Sequence, residues 1–141
     1  MNPLTLEQAN KIIAAAIAAA RTMRIPPVAV VVIDSSGHLK AMQREDGASM
    51  FRFDVATGKA WGAVGMGAAS RVLAERAREN PNFFTTLAAA ADGKFLPQPG
   101  AVLILNDAKE IIGAAGASGG TGDEDEEICA QGVRHAGLTP G

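Results

Sequence analysis

The stretch Val28-Ala-Val-Val-Val-Ile-Asp-Ser-Ser-Gly-His-Leu-Lys-Ala-Met-Gln-Arg44 decides the fold. Val28 to Ile33 is a continuous, largely β-branched apolar run, the composition of a strand buried on both faces. Asp34-Ser-Ser-Gly37 has turn chemistry, with Asp first and Gly fourth. His38 to Arg44 is therefore expected to return as the second strand of a hairpin. A loosely similar plan recurs later: Ala101-Val-Leu-Ile-Leu105, the turn residues Asn106-Asp107, then Glu110 to Ala115. We read the two segments as two hairpins of one antiparallel sheet, a shared design and not a repeat array.

Helices are expected around that sheet. Thr5-Leu-Glu-Gln8 reads as a capping box before a helix running to about Met23. Leu6, Ala9, Ile13, Ala16, Ile17 and Ala20 recur at helical spacing, and the opposite face carries no charge between Ile12 and Ala20. A helix apolar all round is covered on both sides, and in a chain of 141 residues the second cover is expected to be another subunit. Pro26-Pro27 ends this segment. Between the hairpins, Ser49 is expected to cap a helix lined by Met50, Phe53, Ala56, Ala60 and Val64, with a break near Met66. Ser70 to Asn80 follows as a short helix stopped by Pro81. Phe83, Phe84 and Leu87 anchor the next segment, and Asp92 to Gly100 is a loop. Thr121-Gly-Asp-Glu124 is a second capping box. Its helix is expected to bury Ile128, Cys129, Gly132, Val133 and Ala136 before Gly137 and Pro140 stop it. This order predicts an α+β fold with helices packed on one sheet.

Composition narrows the function. With 48% hydrophobic residues the chain suffices for one domain with a core, and a net charge of −2 points to neither nucleic acid nor an anionic membrane surface. The longest apolar run, Ile12 to Ala20, is too short to span a bilayer. A lone Cys129 and the lack of a secretory start suit a reducing, cytoplasmic setting. There is no cysteine pair for zinc, and His38 and His135 lack ligand spacing, so no metal site is expected.

The richest site signal is Gly113-Ala-Ala-Gly-Ala-Ser-Gly-Gly-Thr-Gly-Asp-Glu-Asp-Glu-Glu127. We read it as a small-residue loop leading into a helix whose first turns already carry acids that complement the dipole. A phosphate would meet that charge, so a compact carboxylate or a neutral ligand suits it better. Arg52 and Lys59 are seven apart, on one helical face. They could clamp a carboxylate, Arg52 with a bidentate fork, or form a solvated face paired with Asp54. Lys59 stands out because it interrupts an Ala/Gly-rich segment. His38 would share a strand face with Lys40, Met42 and Arg44, where a neutral imidazole could ligate iron or move a proton, although a histidine so placed is more often an ordinary surface residue. Ser118 is a hydrogen-bonding candidate. Asp125 and Glu126 are either acid–base groups or dipole partners, and Asp46-Gly-Ala48 is either a tight turn or a site edge. His135, beside Arg134, suits a helix C-terminus, and Cys129 a core thiol.

Several pieces, in order, resemble the GlcG/HbpS-like family, which includes the C-terminal domain of PduO-type proteins. They are Leu4-Thr-Leu-Glu-Gln-Ala9, Val30-Val-Val-Ile-Asp-Ser-Ser-Gly-His-Leu39, Arg44-Glu-Asp-Gly-Ala48, Lys59-Ala60, Pro99-Gly100, Ile112-Gly-Ala-Ala-Gly-Ala-Ser-Gly119 and Asp125-Glu126. The resemblance covers nearly the whole chain. It implies a single domain over residues 1–141, an antiparallel sheet flanked by helices in a profilin-like layout, and dimers that build larger oligomers, often octamers. It also implies a small-ligand-binding protein. Some relatives bind haem, and others accompany glycolate, diol or aromatic-acid catabolism, where a role on small organic acids is suspected. Two departures stand out. Gly100-Ala-Val-Leu-Ile104 replaces a common Gly-Gly-x-Pro-Ile, and the N-terminal helix has no histidine to serve as an axial ligand.

The expected pocket lies between the Gly116 to Gly120 loop, Lys59 and the Arg44 to Ala48 turn. Its ligand contacts would be Arg44, Asp46, Arg52, Lys59, Gly116, Ser118 and Gly119. In an enzyme acting on a small organic acid, Lys59 would hold the substrate carboxylate, with Asp125 or His38 as the acid–base group. A structural subunit without a ligand is the third reading, and self-association through the Ala-rich helix is expected in each.

Overall fold

The computed structural model describes residues 3–141. Its elements are α1 (Leu6–Thr22), β1 (Ala29–Asp34), β2 (Leu39–Arg44), α2 (Phe51–Met66), α3 (Ser70–Glu79), α4 (Pro81–Ala90), β3 (Ala101–Leu105), β4 (Ile111–Ser118), α5 (Gly122–His135) and β5 (Thr139–Pro140). Both capping boxes form: the Thr5 hydroxyl accepts from the Gln8 amide and the Thr121 hydroxyl from the Glu124 amide, each answered by the returning side chain. The β1–β2 and β3–β4 hairpins also form, and β1 pairs with β4 to join them. The result is a five-stranded sheet of order β2-β1-β4-β3-β5, every pairing antiparallel.

Alternation along the strands builds two cores. Val30, Val32, Val102, Ile104, Ala115 and Ala117 meet Ile12, Ile13, Ile128 and Val133 of α1 and α5. On the other face Val31, Ile33, Leu103 and Ala114 meet Ala56, Ala60 and Ala63 of α2. A third cluster of Leu73, Phe84 and Phe95 seats α3 and α4 against the α2 segment through Trp61 and Met66.

Four expectations change. The strand expected to end at Ala115 runs on to Ser118, so Gly116 to Ser118 is inner strand and not loop, and only residues 119–121 connect β4 to α5. Glycine and alanine are poor strand formers, but β4 lies between β1 and β3, and α2 presses close. A Cβ at Gly116 would lie 2.5 Å from the Ala56 carbonyl oxygen. Second, α5 of the same chain covers a flank of α1, where a Cβ at Gly132 would collide with the Ile12 carbonyl. Of the helix read as apolar all round, Ala14 and Ala18 stay exposed. Third, Met50, not Ser49, is the N-cap of α2, and no side chain caps it. Fourth, residues 139–140 form β5, pairing with Leu105 and Ile104. Phe83 is also exposed, so Phe84 carries the anchoring of α4.

Candidate functional site

Sheet register gathers most of the candidate residues at one end. Ala29 pairs with both Arg44 and Ser118, whereas Ile33 pairs with Leu39 at the opposite end. Arg44, Ser118 and the 119–121 connection therefore share an edge at which α2 begins. His38, beside Leu39, lies the length of β1 away, roughly 20 Å at about 3.3 Å per residue. Its side chain is 81% exposed, with Nδ1 3.9 Å from Asp34 Oδ1. It does not belong to this group. His135 is exposed at the far end of α5.

The Arg52 guanidinium, half-buried, donates through Nη1 to the buried Ser118 hydroxyl at 3.2 Å. Arg44 braces its own turn by donating to the Ala48 carbonyl at 2.6 Å. Asp46 is exposed and lines a cleft of about 370 Å³ with Ile17, Gln43, Arg44 and Glu45. Gly116 lies under α2, and Gly119 fits against the Pro27 carbonyl, leaving neither a side chain for a ligand.

Lys59 and Asp125 are buried and paired with each other. Lys59 reaches from α2, on one face of the sheet, to α5 on the other. Its Nζ donates to the Ala117 carbonyl at 3.1 Å and to Asp125 Oδ2 at 3.3 Å. Asp125 Oδ1 accepts from the Gly120 amide at 2.9 Å. Gly100 makes room for this passage, since a Cβ there would sit 2.5 Å from Nζ. The two residues are 5% and 1% exposed. Buried charges persist when paired and hydrogen-bonded, and here both carboxylate oxygens are engaged. Within one chain the pair is a buried tie beneath the Arg52–Ser118 contact, while Arg52 is half-buried and Arg44 exposed.

Sequence reading missed two contacts. Arg71 donates to Glu126 Oε2 at 2.8 Å and also to Asp123. Those two carboxylates, Asp123 foremost, hold its guanidinium above the usual range. The acidic start of α5 thus serves α3 as well as the helix dipole. The Ser70 hydroxyl accepts from the Ala101 amide at 2.9 Å and fixes the start of β3. Neither contact has a local signal, because its partners are 31 to 55 residues apart. The Thr57 hydroxyl is buried without a partner among the described residues. Cys129 is buried as expected, and desolvation pushes its thiol well above the ordinary value. Among the described residues no group of three His, Cys, Asp or Glu side chains could hold a metal ion. No helix there is long and apolar enough to cross a membrane.

An antiparallel sheet held between α1/α5 and α2, with a polar end at Arg52 and Ser118, defines an α+β protein. The family described as haem degrading protein HbpS-like matches residues 4–134, and the chain belongs to it. The crystal structure of a PduOC:heme complex is similar at 24% identity, covering 97% of each chain with a TM-score of 0.86. A double mutant of Streptomyces reticuli HbpS is similar at 29% identity, covering 95% of this chain and 87% of that one, with a TM-score of 0.82. The Klebsiella pneumoniae protein ORFY is similar at 22% identity over 97% and 92%, with a TM-score of 0.87. No curated protein matches the chain significantly.

Proposed function

We propose that the protein binds a small carboxylate-bearing ligand at the Arg52–Ser118 end of the sheet, with haem as the leading candidate. The observation that carries this is the Arg52 guanidinium, held by one nitrogen on the buried Ser118 hydroxyl. A planar guanidinium so oriented suits a carboxylate fork. The names of the relatives, a PduOC:heme complex and HbpS, support haem. The donor set here fits its propionates. It offers no imidazole for the iron, because His38 and His135 lie elsewhere and Cys129 is buried and protonated.

The rival reading, an enzyme acting on a small organic acid, asks Lys59 and Asp125 to meet substrate. Their burial and mutual engagement favour binding over turnover. Self-association through α1 is part of the proposal, supported by the exposed Ala14, Ala18 and Met23 along an open cleft of about 480 Å³. Sedimentation over a concentration series tests it, and a monomer throughout would discard it.

The main test is a thermal-shift titration with haemin and a panel of small organic acids, with absorbance recorded alongside. A saturable rise in melting temperature is expected, since a ligand of the folded form stabilises it. Arg52→Ala should weaken that response while the unliganded melting temperature stays nearly unchanged. A Soret band that shifts in His38→Ala would relocate the iron to the distant hairpin. If neither haemin nor any acid stabilises the protein, the binding reading fails.

A further inference from the structure

A second cleft opens on the flank of α2 away from the sheet, walled by Trp61, Gly62, Gly65, Met66, Leu87 and Phe95 and closed by the end of α4; its volume is about 240 Å³. None of these walls is charged. The indole N–H of Trp61 lies toward the β1–β2 hairpin, where a Cβ at Gly37 would be 3.0 Å from Nε1. Its polar edge is thus already directed at another element.

The two glycines in the wall differ in kind. Gly62 has a neighbour that requires it, since a Cβ there would lie 2.7 Å from Phe95 Cε2. Gly65, one turn on, has nothing within 4 Å of the Cβ position. Glycine inside a helix lowers its stability, and no protein group needs this one. What it leaves is open apolar volume above the indole and phenyl rings.

We propose that this cleft is a second binding site, for a neutral one-ring aromatic compound. An apolar cavity of about 150 Å³ suffices for benzene, so the volume here admits a ring with one small substituent. An anion would be desolvated with no counter-charge among the walls, so the ligand differs in class from the carboxylate proposed for Arg52. The inference is independent of that reading.

Trp61 is the only tryptophan and lines the cleft, so a change in intrinsic emission comes from this residue. The test titrates full-length protein with benzyl alcohol and, separately, with benzoate, following Trp61 emission and melting temperature. Benzyl alcohol should give a saturable blue shift with a rise in melting temperature, and benzoate should bind at least roughly tenfold more weakly. Gly65→Leu fills the open volume and should weaken benzyl alcohol binding by at least roughly tenfold, whereas Gly65→Ala should keep most of it. Both variants should melt no lower than the parent, which separates occlusion of the site from unfolding. A linear, non-saturable response overturns the proposal, as does equal binding by Gly65→Leu or by benzoate. Emission that shifts on dilution of the protein alone also overturns it, because another copy of the chain would then be covering the cleft.

Discussion

Replacing Lys59 by Met keeps the aliphatic stem and removes the ammonium. Asp125, 1% exposed, then retains a single donor, the Gly120 amide. Breaking a buried ion pair from one side costs about 3–5 kcal/mol, a large share of the ~5–15 kcal/mol by which domains are stable. At roughly 3 °C per kcal/mol for a chain of this length, the melting temperature should fall by about 10–15 °C. Asp125→Asn should cost less, because the amide oxygen can still accept from Gly120 or Lys59. The double variant Lys59→Met/Asp125→Asn buries no charge at this position. It should be more stable than the sum of the singles implies, by about 2 kcal/mol or more. Urea unfolding followed by Trp61 emission and far-UV circular dichroism supplies the cycle. Single costs below about 1 kcal/mol that add within ~0.5 kcal/mol would show that the tie contributes no more than a surface contact, and the argument from burial would be wrong.

Three further outcomes can be checked. Gly116→Ala drives a methyl against the Ala56 carbonyl and should lower stability by about 1–3 kcal/mol, read as a drop in urea midpoint. Thr57→Val removes a buried hydroxyl without a partner and should raise stability by about 1 kcal/mol; a lower midpoint would show that the hydroxyl is satisfied. Burial raises the Cys129 thiol above its unfolded value, so the unfolded chain gives up this proton first as pH climbs. Its contribution is complete below about pH 8.5 and declines above it by up to about 1.4 kcal/mol per pH unit. Cys129→Ala should flatten that alkaline decline, and native Cys129 should react with a maleimide only at the rate of opening.

Much of this fold could be read because its signals are local. Both capping boxes, the run from Val28 to Ile33 and the Asp34 to Gly37 turn each fit within a few residues. The Gly116 to Ser118 end of β4 was illegible for the opposite reason. Its composition records how near α2, α1 and α5 approach, a tertiary fact that overrides propensity. The site was half legible. Arg52, Lys59, Ser118 and Asp125 were singled out one by one, yet their pairings span 66 residues, and no spacing rule reaches that far. His38 drew attention by its chemistry, but the register of β1 carries it to the wrong end of the sheet. The cover that α5 gives one flank of α1 had no local signal, because Gly132 and Ile12 lie more than a hundred residues apart in sequence.

The Lys59–Asp125 tie has a kinetic consequence. α2 and α5 lie on opposite faces of the sheet, so neither can peel away by itself without stranding a charge from the other. In hydrogen exchange, the amides of the two helices should open as one unit with a common free energy, although the helices share little direct contact. In Lys59→Met/Asp125→Asn that shared opening should split in two, with each helix exchanging on the terms of its own layer.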